Sequence, residues 1–357
     1  MSEQTYTAAV VGVGAAVNSK GTKGGGHQAG YAMSRAWLKT GRVRELAGAD
    51  VSAENLAAYQ ASEGVAHGYA SLDALLSEYR PDLLAIATYV GLHAEMIEQA
   101  ADAGVKGIVC EKPFLAAPAE LDRVKAIADR TGVKIVVSHQ RRYHAAFEKA
   151  RELYHDGTVG EPVLCFAGIE GWDLSEWGAH WLDMFRFFHH DADVNWVMGQ
   201  ARVRGTRGYG HAMEEHAVAY FAFAGGGKAM LDGGQGFNAA GMGMRLVGTE
   251  GTIIKHGCEN DTLTIDNKDG RWTWEPPPYD HDTGGRVAVA ADLIRWIDGG
   301  KEPRVALGTQ LKTSELNLAA YLSAVRGDRI DLPLTGDDRA LDRWPVELLA
   351  ERHRAAE

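Results

Sequence analysis

Residues 7–14 read TAAVVGVG. Residues 7–13 form a short run of Val, Ala and Thr that stops in glycines rather than continuing at helical spacing, so they read as a buried strand. A glycine-rich loop follows from Gly14 to Gly26, and residues 27–39 then carry Ala, Met and Trp at helical spacing. Residues 43–49 form a second strand ending at Asp50, and Ser52 caps a helix through residue 61. The alternation continues with helix 71–79, strand 82–87, helix 93–103, strand 107–110, helix 118–130 and strand 133–138. Strands separated by single helices imply a parallel sheet with right-handed crossovers. The expectation is an α/β, doubly wound, Rossmann-type domain over residues 1–140.

The second half changes character. After a helix at 144–156 come strands at 163–169, 195–205, 216–224, 228–233, 245–248, 252–256, 262–266 and 271–275. Turns such as Gly225-Gly226-Gly227 and Thr249-Glu250-Gly251 suit hairpins. Further helices are expected at 176–188, 286–298 and 309–325. Residues 141–357 therefore read as an α+β domain with an open, mainly antiparallel sheet and helices on one face. The other face would be covered by a second subunit, as a homodimer or homotetramer, because a long bare sheet invites pairing.

Composition bounds the function. At 357 residues the chain is long enough for two domains. Its 45% hydrophobic and 24% charged residues are those of an ordinary globular protein, not of a disordered or collagen-like one. A net charge of -11 argues against nucleic acid as a partner. The longest apolar run, near residues 83–90, is far short of the about 20 residues that span a bilayer. Residues 1–7 lack a basic start and apolar stretch of a secretory signal. Three cysteines (Cys110, Cys165 and Cys258) make no even disulfide framework. The expected setting is the cytoplasm.

The first chemical cue is Gly12-Val13-Gly14 directly after the first strand, where a dinucleotide loop needs glycine for its turn and for backbone approach to a pyrophosphate. The usual third glycine would be residue 17, which is Val17. Asp50, at the end of strand two, is placed to accept from ribose hydroxyls and to repel a 2'-phosphate, which favours NAD over NADP; it also reads as an ordinary residue before a helix. Lys112 stands at the end of the 107–110 strand, on the edge where such sheets bind ligands, though an isolated Lys-Pro there reads better as a surface lysine paired with Glu111. Trp172, Trp177 and Trp181 suit the C–H faces of sugar rings and also suit a core. His189, His190, His211 and His216 lie close in sequence but show no metal-ligand spacing, so no metal is expected.

Several segments, in order, resemble the glucose-fructose oxidoreductase, inositol dehydrogenase and rhizopine-catabolism family (Gfo/Idh/MocA). They are Val109-Cys110-Glu111-Lys112-Pro113; Ile86-Ala87-Thr88 followed by His93; Arg141-Arg142-Tyr143-His144; Gly178-Ala179-His180-Trp181-Leu182-Asp183; and Asp331-Leu332-Pro333-Leu334. Tyr89 and Val90 replace the family's usual Pro and Asn. Glu176 stands where many members have an aspartate four residues before the histidine.

The resemblance implies an NAD-dependent oxidoreductase that moves a hydride to or from a secondary hydroxyl or keto carbon of a sugar, sugar derivative or cyclitol. It implies Lys112 between nicotinamide and substrate and His180 as the proton-transferring group, with Glu176 at i, i+4 orienting it. Gly12, Gly14, Asp50, Thr88, His93, Glu111 and Lys112 would hold the cofactor, and Arg142, Tyr143, Trp177 and Asp183 the substrate. Histidine suits the proton step, since its ordinary pKa is near 6.5. Two alternatives remain open: net glycoside hydrolysis by transient oxidation and elimination, and a non-catalytic NAD- and sugar-binding regulator. The loop 15–26, with Lys20 and Lys23, is expected to act as a flap.

Overall fold

The computed structural model describes residues 4–14, 29–205, 207–234, 242–257, 261–278, 280 and 284–356. Six strands make the first sheet: β1 (Tyr6–Val11), β2 (Val43–Ala49), β3 (His67–Tyr69), β4 (Leu83–Ile86), β5 (Gly107–Cys110) and β6 (Lys134–Val137). All pairings are parallel and the spatial order is β3-β2-β1-β4-β5-β6. The direction of winding reverses between β1 and β4, which opens a crevice at their carboxyl ends. The intervening helices are α1 (Ala29–Lys39), α2 (Ala53–Glu63), α3 (Leu72–Glu78), α4 (His93–Asp102) and α5 (Pro118–Thr131). Their starts follow from local chemistry. Ser52 Oγ accepts from Asn55 N–H (3.2 Å) and Ser71 Oγ from Ala74 N–H (3.1 Å), each satisfying an amide that the first turn leaves open.

A short 3-10 turn (Gln140–Tyr143) leads into α6 (Ala145–His155), β7 (Pro162–Gly168), α7 (Gly178–Phe188) and β8 (Val194–Arg202). A two-residue ribbon, β9 (Arg207–Gly208) and β10 (His211–Ala212), precedes β11 (His216–Phe223), β12 (Lys228–Gly233), β13 (Gly243–Gly248), β14 (Gly251–His256), β15 (Leu263–Asn267) and β16 (Gly270–Trp274). The chain closes with α8 (Gly284–Ile297), α9 (Leu307–Arg326), β17 (Ile330–Asp331), α10 (Gly336–Ala340) and α11 (Pro345–Ala356). The second sheet has the order β16-β15-β14-β13-β7-β12-β11-β8-β17, antiparallel except for β7 beside β12. Strand β11 shows why it is two-faced: Ala217, Ala219, Phe221 and Phe223 are buried in the core with α6, α7 and α9. On the opposite face Trp196 stacks on Tyr220 with 5.4 Å between centroids, and Met198 is 52% exposed.

The division at residue 140 falls in the turn between the sheets, but residues 141–357 do not stay on one side of it. Val289, Ala290, Leu293 and Ile294 of α8 pack in one core with Tyr6, Ala8 and Val10 of β1. Leu318 of α9 joins the other core of the first sheet, with Leu121 and Ile135, while Leu316, Ala319 and Tyr321 face the second sheet. Helix α8 thus packs on the first sheet although it follows the second in the chain. No helix among the described residues is long and apolar enough to cross a membrane.

Candidate active site

Gly12 follows β1 with φ +79°. A Cβ there would lie 2.7 Å from Thr88 Cγ2 and 2.8 Å from the Ala87 carbonyl, so only glycine lets the turn after β1 rest on the turn after β4. Gly14 also has φ +79°, and its N–H donates to Asp50 Oδ2 (3.3 Å). Asp50 Oδ1 accepts from Ser52 N–H (2.8 Å) while Ser52 itself caps α2, so Asp50 ties the end of β2 to the glycine turn. Val17 and the 15–26 loop lie outside the described residues. The close packing expected of a third glycine is found at Gly30 of α1, where a Cβ would come within 2.9 Å of Val13 Cα and 3.0 Å of Gly12 O. This cradle, open in backbone and closed to any side chain, fits a dinucleotide at the switch point.

Across the crevice, Lys112 extends from the end of β5. Its Nζ donates to Glu176 Oε2 (3.3 Å) and to the Glu176 carbonyl (3.2 Å), in the turn that precedes α7. Burial raises the Glu176 carboxyl above its ordinary value, and the Lys112 charge opposes that. His180, in the first turn of α7, is buried, and its Nδ1 has no hydrogen-bond partner among the described residues. Burial, then Arg141 and Lys112, hold its ring well below the ordinary imidazole range, so it is neutral at pH 7. It meets His139 edge-on at 5.9 Å and Trp177 at 5.8 Å between centroids. His139 is lowered to about 4, by burial first. A neutral imidazole beside an ammonium is a base next to a charge stabiliser.

The sequence profile described as "Oxidoreductase family, NAD-binding Rossmann fold" (GFO_IDH_MocA) matches residues 7–139. Residues 7–139 are thus similar to the NAD-binding domain of the Gfo/Idh/MocA oxidoreductases. Similar proteins include a D-apiose dehydrogenase of Paraburkholderia graminis, 27% identical over 83% of this chain and 85% of that one. A 1,5-anhydro-D-fructose reductase of Ensifer adhaerens is 25% identical over 84% and 96%. The fold matches the crystal structure of the WlbA dehydrogenase from Bordetella pertussis in complex with NADH and UDP-GlcNAcA, with TM-score 0.72, 20% identity and coverage of 93% and 100%.

Within this Gfo/Idh/MocA frame the structure redistributes several roles expected from sequence. Glu176 is not in the helix, so the i, i+4 argument fails; its carboxylate turns to Lys112 rather than orienting His180. Arg142 and Asp183 pair with each other. Arg142 Nε donates to both Asp183 oxygens (2.9 Å each), its two Nη groups to Asp191, and Gln310 of α9 also donates to Asp183 (3.0 Å). Both are buried, and their polar atoms are consumed in joining three elements. The Tyr143 hydroxyl donates to Asp292 of α8 (2.6 Å), again a fastening between elements. His93 is fully buried, with Nδ1 3.0 Å from Phe114 O and Nε2 3.1 Å from Thr88 O. It braces the turns after β4 and β5. Glu111 faces Arg286 of α8 at 3.6 Å.

Other residues were missed. Tyr209, at φ +48°, and Gly210, at φ +83°, form the two-residue turn of the β9–β10 ribbon, with both residues left-handed as tight hairpins require. That turn sets Tyr209 against Trp172 (6.0 Å), and Trp172 against Trp177 (6.2 Å), giving an aromatic wall beside Glu176; Trp181 instead is wholly buried. Tyr-Gly between short polar segments was the available signal. Among the described residues no group of three or more His, Cys, Asp and Glu side chains could hold a metal. His189, His211 and His216 each have protein partners.

Proposed function

We propose that this chain transfers a hydride between NAD and a secondary hydroxyl or keto carbon of a sugar, sugar derivative or cyclitol. The observation that carries the reading is the meeting of Lys112, from the dinucleotide domain, with Glu176 and the neutral His180 of the second. Bound NAD supplies the hydride acceptor or donor. Gly12 and Gly14 admit its pyrophosphate, and Asp50 accepts from its ribose and disfavours a 2'-phosphate. His180 takes the hydroxyl proton during oxidation and returns it during reduction. Lys112 stabilises the developing alkoxide, and Glu176 holds its ammonium in place. Trp177, Trp172 and Tyr209 offer flat faces to a sugar ring.

The relatives' substrates, apiose and anhydrofructose, support a carbohydrate-like substrate. No observation favours the hydrolase or regulator readings. The apolar outer face of the second sheet supports pairing of two copies through it, as a homodimer or homotetramer. The two described cysteines, both buried and free, fit a cytoplasmic setting.

Screening sugars and polyols with NAD+ while following NADH absorbance tests the function. Lys112→Met and His180→Ala should keep NADH binding, and His180→Ala should lower turnover about a hundred- to ten-thousandfold. Near-normal turnover in His180→Ala would overturn its proton role.

A further inference from the structure

Behind Glu176 lies a row of buried groups to which the reaction assigns nothing. The Glu176 N–H donates to Asp173 Oδ1 (2.9 Å), and Asp173 Oδ2 lies 3.1 Å from His211 Nε2. Asp173 and His211 are both essentially inaccessible. The turn that carries Asp173 and Glu176 is pinned twice more. Leu174 N–H donates to Glu214, and Leu174 O accepts from Asn317 Nδ2 of α9 (2.9 Å). Glu214 Oε2 in turn accepts from the Tyr321 hydroxyl (2.9 Å).

The groups facing His211 come from every neighbouring element. Asp173 and Glu176 face it from the turn, and Tyr209 O lies 3.4 Å from its Nδ1. The Trp344 ring packs on it at 4.2 Å. Glu347 of α11, paired with Arg207, accepts from the adjoining Ala212 N–H. Beyond Asp173 stand Glu214, which burial and Asp173 push up to about 7, and Tyr321, raised by burial. Lys112 closes the far side of Glu176.

Charges taken out of water are tolerated when they balance. One ammonium at Lys112 against carboxylates at Glu176 and Asp173 leaves an uncompensated negative charge. An imidazolium at His211 cancels it. We propose that His211 is a positioning residue for the Lys112–Glu176 pair: as an imidazolium bound to Asp173 it keeps Glu176 ionised and turned toward Lys112, although it hydrogen-bonds with neither. Burial pulls the His211 ring down, but the Asp173 hydrogen bond and charge more than offset this and hold it above the ordinary imidazole range. The inference rests on the proposed roles of Lys112 and Glu176.

The test reads ionisation directly and needs no substrate. In the intact protein with labelled histidine, ring 15N shifts should show His211 as an imidazolium at pH 6.5; a neutral ring there overturns the proposal. With glutamate labelled at the carboxyl carbon, and the Glu176 signal assigned by its loss in Glu176→Gln, His211→Gln retains an amide donor toward Asp173 but no charge. The Glu176 titration midpoint should then rise by about one pH unit. An unmoved midpoint in a folded His211→Gln protein also overturns it. Turnover on the sugar panel is scored separately, so a charged His211 with no turnover sinks the proposed reaction and leaves this coupling standing.

Discussion

Replacing Gly30 by alanine tests whether the third-glycine function has moved to α1. The new methyl would stand 2.9 Å from Val13 Cα and 3.0 Å from Gly12 O, where ordinary contact begins at 3.4 Å. Both obstacles are backbone, so no side chain can swing aside, and α1 must retreat by about half an ångström from the turn that cradles the dinucleotide. Such overpacking costs about 1–3 kcal/mol. Alanine also favours the helix over glycine by about 1 kcal/mol, which would mask part of that cost. Gly308→Ala in α9 supplies the comparison, because its methyl would meet no atom within 4 Å and its φ is ordinary. Urea denaturation of the two variants should therefore differ by about 1–3 kcal/mol, Gly308→Ala being the more stable. NADH titrated by fluorescence should bind Gly30→Ala on the order of tenfold more weakly, the equivalent of about 1.4 kcal/mol. If Gly30→Ala matched Gly308→Ala in stability and bound NADH like the unaltered protein, the packing argument would be wrong.

Asp183→Ala should destabilise the fold by about 3–5 kcal/mol in denaturant titrations, because it strips the charge facing the buried Arg142; a loss below 1 kcal/mol would return Asp183 to the list of substrate groups. Glu214→Gln should flatten a pH dependence. Because its folded pKa lies above the unfolded one, Glu214 favours the folded state at low pH, and that contribution is lost as pH rises from about 4.5 to about 7. Relative to the unaltered protein, Glu214→Gln should thus gain at least about 1 kcal/mol between pH 5 and pH 8, measured by urea midpoints. A difference independent of pH contradicts the assignment. Asp50→Ala should narrow the preference for NADH over NADPH by about tenfold, and an unchanged ratio of dissociation constants would show that Asp50 does not select the cofactor.

The first sheet was legible because most of its strands are buried and its helices carry local start signals: β2 and β5 fall on the expected residues, and Ser52 caps where its hydroxyl suggests. Strand β3 was not, since its three residues are an exposed edge with no apolar run. The helix α11 was overlooked although Pro345 and the spacing of Val346, Leu349 and Ala350 mark it. At the site, sequence located Lys112, Glu176 and His180 but not which pair would meet. Helical spacing put Glu176 beside His180, whereas a turn stabilised by Asp173 rotates it to Lys112. The pairing of Arg142 with Asp183 was not legible, because the two stand in separate segments that only the fold brings together. Asp173, His211 and Glu214 gave no local signal, because their partners are brought together only by the ribbon and α9.

The sharing of α9 between the two sheets bears on how far they can separate. Swinging the layers apart about a hinge would lift Leu318 off the first-sheet core, or Leu316 and Tyr321 off the second. Each such side chain taken from full burial to water costs about 1.5–3 kcal/mol, so a wide clamshell opening is a rare event. The two walls of the cleft that holds Lys112 and His180 are therefore tied together by one helix that belongs to both cores.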